Sequence, residues 1–305
     1  MKGFFKEKNA AISFFCYCAV TLTLLLGGFY GILNDMFFEE KIYMFASGSE
    51  GALTVYYTLC ALTVAAAVIF CAICKRRKTD LTTVFSVGMG ETENIVAGGI
   101  RLAGGAIFAV GAVMRLIFHF GEKSSSTLPS AVTALMLLFY VCLTLYFFPE
   151  VGKKLSIPSL SPVCGMLGAV AFIIDTLATY ADMSIPISSE YRILTAVCSV
   201  LFLLALVSEL RIKLAEPKPH SYLALFAIAS AVGGSISLGR MISICGGKSV
   251  SGTELARTVC GIGITLYTVS RLLTVTFSRS HGDEAEIPES NAPENDGNEI
   301  TKEAE

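Results

Sequence analysis

The chain has 305 residues, of which 53% are hydrophobic and 16% are charged, and its mean hydropathy is +0.65. Soluble domains carry about 25% charged residues and roughly 45–50% apolar ones, so this composition indicates a polytopic membrane protein. It excludes a secreted disulfide scaffold, a coiled coil, a nucleic-acid-binding domain and a wholly disordered chain, and the net charge of −2 combines a basic body with an acidic C-terminal tail.

Eight apolar stretches are long enough to cross a hydrocarbon core of about 30 Å, which takes roughly 17–25 helical residues. The sequence therefore predicts an all-α bundle of about eight transmembrane helices within residues 1–277. The predicted spans are Ala10–Leu33, Ala52–Cys74, Ile95–His119, Ala131–Phe148, Pro162–Tyr180, Tyr191–Leu210, Ser221–Cys245 and Gly252–Phe277.

The first stretch also resembles a signal peptide, because three lysines precede an apolar run. It is about as long as a full span, and its end at Gly27–Gly31 has no small-residue cleavage site followed by polar sequence. We interpret it as a retained first helix.

Lysines and arginines in the connections predict the orientation, because cytoplasmic loops are enriched in both. With a cytoplasmic N-terminus, only three bases fall in the outer loops: Lys41, Lys123 and Lys248. Fourteen fall in the inner segments: Lys2, Lys6, Lys8, Lys75, Arg76, Arg77, Lys78, Lys153, Lys154, Arg211, Lys213, Lys218, Arg279 and Lys302. We therefore expect a protein of the cell membrane with both termini in the cytoplasm.

The C-terminal tail, residues 278–305, differs from the rest of the chain. From His281 onward it carries nine acids against one lysine, with almost no large apolar residues. Such a segment cannot offset the entropy of ordering, so the tail is predicted to be disordered in the cytosol. A cytosolic protein that docks on the tail is a second expectation.

No motif of a familiar enzyme is present. The three histidines lie in different elements, and the ten cysteines fall mostly within spans, where cysteine behaves as a small apolar residue. The pair Cys71 and Cys74 lies beside four bases, but no second pair completes a zinc site. The sequence thus predicts no catalytic residue, no metal site and no cofactor.

Ionisable residues inside spans are the most informative feature, because a charge at the bilayer centre costs at least about 2.5–3.5 kcal/mol. At about 100° per residue, Arg101 and Arg115 share one face of the third span, and Arg257 and Arg271 share one face of the eighth. Asp175 lies inside the fifth span and Arg240 near the end of the seventh. Glycines in the third and seventh spans are expected to allow close helix packing.

These charges can contact the lipid head groups, form ion pairs between helices or form a ligand-binding site. Single arginines near span ends can extend to the lipid head groups. Asp175 is too short to do so and requires a partner, and the candidates at the same outer depth are the arginines Arg115, Arg192, Arg240 and Arg257. With Glu190 and Glu254, they also fit a structural network of ion pairs.

Two main functions follow from these interpretations, and an intramembrane enzyme for phosphorylated lipids is a third candidate for which no nucleophile or base is evident. The first is a transporter or binding protein for a small anionic solute or lipid head group, because guanidinium groups bind carboxylate and phosphate by paired hydrogen bonds. Its predicted ligand-binding residues are Arg115, Asp175, Arg240, Glu254 and Arg257, with an inner polar stripe of Arg101, Thr265, Thr268 and Arg271. The second is a non-catalytic scaffold, sensor or accessory subunit with structural ion pairs and an acidic docking tail. The expected partners are the lipid bilayer, the anion and a cytosolic protein, and no nucleic acid.

Overall fold

The computed structural model describes residues 8–39, 44–77, 79, 81, 84–85, 94–121, 130–148, 160–181, 185–186, 189–214 and 218–282. Within these ranges the chain forms eight helices and one short hairpin. The helices are α1 (Lys8–Phe37), α2 (Glu50–Arg76), α3 (Ile95–Gly121), α4 (Ser130–Phe147), α5 (Leu160–Ala181), α6 (Glu190–Lys213), α7 (Pro219–Cys245) and α8 (Gly252–Gly282).

The helices match the eight predicted spans to within a few residues at most ends. Seven of the described helices are long and apolar enough to cross a membrane. The remaining helix, α4, has 18 residues and is at the short end of the length that a bilayer requires. The chain is therefore a multi-pass helical membrane protein, as its composition predicts.

The last helix runs past the predicted end of the final span at Phe277. It continues to Gly282, so the first five residues assigned to the tail are helical. The rest of the predicted tail, residues 283–305, lies outside the described residues, as do Lys2, Lys6, Lys41, Lys78, Lys123 and both lysines of the pair at 153–154.

Helices α7 and α8 form the centre of the bundle. In their most apolar windows, 83% and 78% of the residues are buried, against 22% in α2. Large apolar side chains on the more peripheral helices are exposed, for example Leu25, Leu62 and Leu177. A surface of this kind fits a lipid solvent.

The contact between α3 and α8 is the most extensive between any two of the described helices, and it depends on glycine. A Cβ atom added at Gly263 would lie 2.7 Å from the carbonyl oxygen of Gly104, and one at Gly111 would lie 2.7 Å from the amide nitrogen of Cys260. The two backbones approach closely because no side chain separates them. The arginines of the third and eighth spans are thereby carried on one closely packed helix pair.

Helix α7 contains one wide turn. Residues Ala229–Gly233 form a π-helical turn in the middle of the span. The carbonyl oxygen of Gly233 accepts a hydrogen bond from the Cys198 thiol at 3.3 Å and from the Ser237 hydroxyl at 3.4 Å. The turn shifts the phase of the second half of α7, which carries Arg240.

A two-stranded hairpin follows α1, with β1 (Phe38–Glu39) antiparallel to β2 (Met44–Phe45). The Lys248 ammonium donates to the carbonyl oxygens of Asn34 and Phe38 at 2.5 and 2.6 Å. Phe38 also packs near Tyr191, with ring centroids 6.3 Å apart. The hairpin is thus tied to the ends of α1, α6 and α7.

Candidate functional site

Asp175 on α5 lies between two arginines from other helices. Its Oδ1 accepts from Nη2 of Arg115 on α3 at 2.7 Å and from Nη2 of Arg257 on α8 at 3.2 Å. Only 3% of Asp175 is exposed. The partner that this buried carboxylate requires is therefore a pair of guanidinium groups.

Tyrosine side chains position these arginines. The Tyr140 hydroxyl on α4 accepts from Nη1 of Arg115 at 2.7 Å, and the Tyr191 hydroxyl on α6 accepts from Nη1 of Arg257 at 3.4 Å. Arg240 on α7 lies over the Tyr191 ring, 4.4 Å from its centroid. We call Arg115, Tyr140, Asp175, Tyr191, Arg240 and Arg257 the Asp175 cluster, to which α3 to α8 all contribute.

The cluster borders a cavity of about 40 Å³, the Asp175 cavity. A volume of this size holds roughly three water molecules. Its wall contains the three arginines, Asp175, several hydroxyl groups and the rings of Phe172 and Phe202. The arrangement is polar around the charges and apolar on the side facing the bundle interior.

The charges around the cavity do not balance. Three guanidinium groups line it with one carboxylate, and that carboxylate contacts Arg115 and Arg257. Nη2 of Arg240 donates to the Thr195 hydroxyl at 2.9 Å and to the Tyr191 carbonyl oxygen at 3.4 Å. In the part of the chain that the structure describes, Arg240 forms no ion pair within 4 Å, although the Glu254 carboxylate on α8 is near enough to act on it electrostatically. The wall of the cavity therefore carries more positive than negative side chains.

A second buried group of charges lies near the other end of α8. Glu209 on α6 is fully buried, and its two carboxylate oxygens accept from the Tyr267 hydroxyl at 2.9 and 2.8 Å. Nη2 of Arg271 lies 3.0 Å from Oε1 of Glu209, and Nζ of Lys213 lies 3.7 Å from it. We call Glu209, Lys213, Tyr267 and Arg271 the Glu209 cluster.

The predicted inner polar stripe lies in this half of the bundle, and all four of its residues are buried. Nη1 of Arg101 donates to the Phe147 carbonyl oxygen at 2.6 Å. The hydroxyls of Thr265 and Thr268 donate to the carbonyl oxygens of Gly261 and Thr265 in their own helix. Arg271 alone of the stripe contacts the Glu209 carboxylate.

The interpretation that single arginines extend to the lipid head groups is wrong for several buried arginines. Arg101, Arg240 and Arg271 are 2%, 7% and 1% exposed, so their guanidinium groups end inside the protein. Their partners are carbonyl oxygens, hydroxyls and Glu209 on neighbouring helices. An arginine inside a membrane span that does not reach water or head groups needs hydrogen-bond partners on neighbouring helices.

Glu254 is the one predicted ligand-binding residue that does not line the cavity. It lies half-buried in the first turn of α8, and its amide donates to the Ser251 hydroxyl at 3.2 Å. Arg192 also lies away from the cavity, and its Nη2 donates to the Ile185 carbonyl oxygen. Of the predicted ligand-binding residues, Arg115, Asp175, Arg240 and Arg257 line the cavity.

Sequence reasoning missed Glu209 as an embedded charge. The sixth span was predicted to end at Leu210, which would place Glu209 at the interface. The helix continues to Lys213 and carries Glu209 into the protein interior. The usable signal was Arg271, which was expected to lie inside a span and required a counter-charge.

In the part of the chain that the structure describes, Cys71 and Cys74 do not belong to a metal site. The Cys71 thiol donates to the His220 carbonyl oxygen at 3.1 Å, and both Cys71 and Cys74 are buried. Among the described residues, no three side chains of histidine, cysteine, aspartate or glutamate are grouped so that they could hold a metal ion.

Comparisons with known proteins found no protein-family model that matches the sequence, no matching curated protein and no matching solved structure.

Proposed function

We propose that this protein binds a small anion in the Asp175 cavity and carries it across the membrane. The observation that supports the proposal is the position of Arg240. Its guanidinium lines a cavity together with two other arginines, while the single carboxylate there contacts the other two. A buried guanidinium with donors directed at a cavity is a strong site for a carboxylate or phosphate.

The size of the cavity favours a small solute over a lipid head group. Its volume of about 40 Å³ leaves no room for a phosphate with an attached glycerol. A ligand of a few non-hydrogen atoms fits without rearrangement of the helices.

A thermal-melting screen of the purified protein against small anions tests the binding step. A ligand at about a hundred times its dissociation constant adds roughly 2.7 kcal/mol to the stability of the folded protein. We expect at least one anion to raise the melting temperature of the wild type and to leave Arg240→Gln unchanged. Uptake of that anion into proteoliposomes then tests transport.

Arg192→Gln is the matched control, because Arg192 is a buried arginine at the same end of the bundle that does not line the cavity. This variant is expected to melt at a lower temperature and to keep the anion-dependent increase. If no anion stabilises the wild type, the proposed function is wrong.

A non-catalytic scaffold or accessory subunit is the second candidate. It is favoured by the pairing of Asp175 with two arginines and of Glu209 with Arg271, which ties α3, α5, α6 and α8 together. In that case Arg240→Gln lowers the melting temperature, no anion raises it, and a cytosolic partner binds the acidic tail.

The orientation and the cell membrane as location rest on the distribution of lysine and arginine. Reporter fusions at the two termini test this prediction, and both reporters are expected to be active in the cytoplasm.

A further inference from the structure

Two hydroxyl groups in the wall of the Asp175 cavity have no hydrogen-bond partner among the described residues. The Thr258 hydroxyl on α8 is buried and unpartnered, and Thr258 as a whole is 3% exposed. Ser199 on α6 is 8% exposed, and its hydroxyl makes no hydrogen bond within the described part of the chain but, unlike that of Thr258, is not fully buried. Both residues line the cavity.

Buried hydroxyls in helices usually donate to a carbonyl oxygen one turn earlier, as Thr195 and Thr265 do here. An unpartnered buried hydroxyl costs free energy, so its presence beside a cavity calls for an oxygen atom in that cavity. Ser199 and Thr258 come from different helices, and Arg240 comes from a third. All three residues line the same cavity.

The other side of the cavity is apolar. Phe172, Phe202 and Ile264 line both the Asp175 cavity and a second cavity of about 10 Å³. The second cavity has an almost wholly apolar wall that also includes Leu143 and Leu206. It has the size of about one water molecule or one methyl group.

Resting on the proposed function, we infer that the ligand is a short-chain monocarboxylate. Its carboxylate accepts hydrogen bonds from Arg240, Ser199 and Thr258, and its alkyl group contacts Phe172, Phe202 and Ile264. One negative charge matches the one arginine of the cavity that forms no ion pair in the described part of the chain. With room for roughly three non-hydrogen atoms in the first cavity and about one in the second, the two cavities together match the size of acetate, and propionate is one atom larger.

The donors of Arg240 suit this ligand. Its hydrogen bonds to Thr195 and Tyr191 both leave from Nη2, and the Tyr30 hydroxyl also approaches the guanidinium. A guanidinium has five N–H donors in a planar fork, so donors remain for one carboxylate. Phosphate, sulfate and dicarboxylates bring a second negative charge or a second polar end against the phenylalanine side.

The test is a titration of the purified full chain with acetate, propionate and butyrate, and with chloride, phosphate, sulfate and succinate, followed by thermal melting. We expect acetate or propionate to bind at least about ten-fold more tightly than the other four anions. Ser199→Ala and Thr258→Val are each expected to weaken binding by about ten-fold, the loss of one hydrogen bond to a charged group.

Ser208→Ala is the matched control for Ser199→Ala. Ser208 lies on the same helix and is equally 8% exposed, but its hydroxyl donates to the Ala205 carbonyl oxygen and it does not line the cavity. This variant is expected to bind like the wild type. Phe202→Ala, which enlarges the apolar side, is expected to shift the preference from propionate toward butyrate.

The outcomes separate the two proposals. If phosphate, sulfate, chloride or succinate binds most tightly, or if Ser199→Ala and Thr258→Val bind like the wild type, the assignment to monocarboxylates is overturned and anion binding stands. If none of the seven anions binds, both proposals fall. Should Thr258→Val fail to fold, Ser199→Ala and its control still decide the outcome.

Discussion

The Asp175 cluster and the Glu209 cluster each place one carboxylate against an arginine of α8, and those arginines, Arg257 and Arg271, are fourteen residues apart. They differ in what surrounds the carboxylate. Asp175 lines a cavity of about 40 Å³ with a polar and an apolar side, whereas Glu209 is fully buried and is contacted by Tyr267, Arg271 and Lys213.

The comparison shows that two buried carboxylates, each paired with an arginine of α8, can have different surroundings. Glu209 is enclosed by hydrogen-bond donors, whereas Asp175 also borders a cavity. The Glu209 carboxylate is held by hydrogen bonds on both oxygens, and the cavity next to Tyr267 is small and apolar. That cluster joins α6 to α8. The Asp175 cluster joins helices as well, but it borders a cavity whose wall includes Arg240, Ser199 and Thr258, which is the basis of the proposed ligand site.

The largest effect is expected at Glu209. Glu209→Gln removes the carboxylate that Arg271 contacts, and breaking a buried ion pair from one side typically costs about 3–5 kcal/mol. Unfolding in detergent, followed by circular dichroism, measures this loss. The double variant Glu209→Leu with Arg271→Met is the control and is expected to recover part of the stability. If the free energy of unfolding of Glu209→Gln lies within about 1 kcal/mol of the wild-type value, the Glu209 cluster does not stabilise the fold as proposed.

The second largest effect concerns the helix pair that supplies arginines to both clusters. In Gly263→Ala, the new Cβ would lie 2.6 Å from the Phe108 amide nitrogen and 2.7 Å from the Gly104 carbonyl oxygen. Such overpacking costs about 1–3 kcal/mol, again measured as unfolding in detergent. Gly99→Ala is the control, because nothing lies within 4 Å of its added Cβ. Equal stability of the two variants would show that α3 and α8 tolerate separation.

A loss of similar size is expected at Asp175. In Asp175→Asn the amide oxygen still accepts from an arginine, and the cavity has room for an anion that replaces the lost charge, so the cost is expected to be about 1.5–3 kcal/mol, below that of Glu209→Gln. The melting temperature of this variant is expected to rise more steeply with added acetate than that of the wild type, because an anion replaces the lost charge. A loss as large as that of Glu209→Gln, with no dependence on anions, would remove the distinction between the two clusters.

The smallest effect is expected at Tyr222. Its hydroxyl is buried without a hydrogen-bond partner among the described residues, and its ring stacks on Phe226 with centroids 4.2 Å apart. Tyr222→Phe keeps the ring and is expected to change the stability by less than about 1 kcal/mol. Tyr267→Phe removes a donor to a carboxylate and is expected to cost about 1.5–3 kcal/mol. Thermal melting measures both losses of stability. If Tyr222→Phe lost more stability than Tyr267→Phe, the hydroxyl that stabilises this part of the bundle would be that of Tyr222.

Much of the fold could be predicted from the sequence. The ends of α3 and α7 fall within two residues of their predicted positions, because a run of apolar residues bounded by polar loops has one stable arrangement in a bilayer. Asp175 was predicted to need a partner for the same reason. The sequence places four arginines at the same depth as Asp175, but it does not show which of them contact its carboxylate.

The sequence could not predict the choice among those arginines because it depends on how helices are rotated against each other. The glycine contacts of α3 and α8 bring Arg115 and Arg257 to one carboxylate. The π turn of α7 adds a phase shift that a rule of 100° per residue does not contain. Glu209 was missed because its depth depends on a helix end three residues beyond the prediction.

The sequence by itself determined that this is a multi-pass helical membrane protein with charges inside its spans, because hydrophobicity and length are local properties. Only the tertiary structure decided which charges meet, which hydroxyls remain without a partner, and where a cavity is left. Those properties depend on the close packing of side chains from six helices, which no single segment encodes.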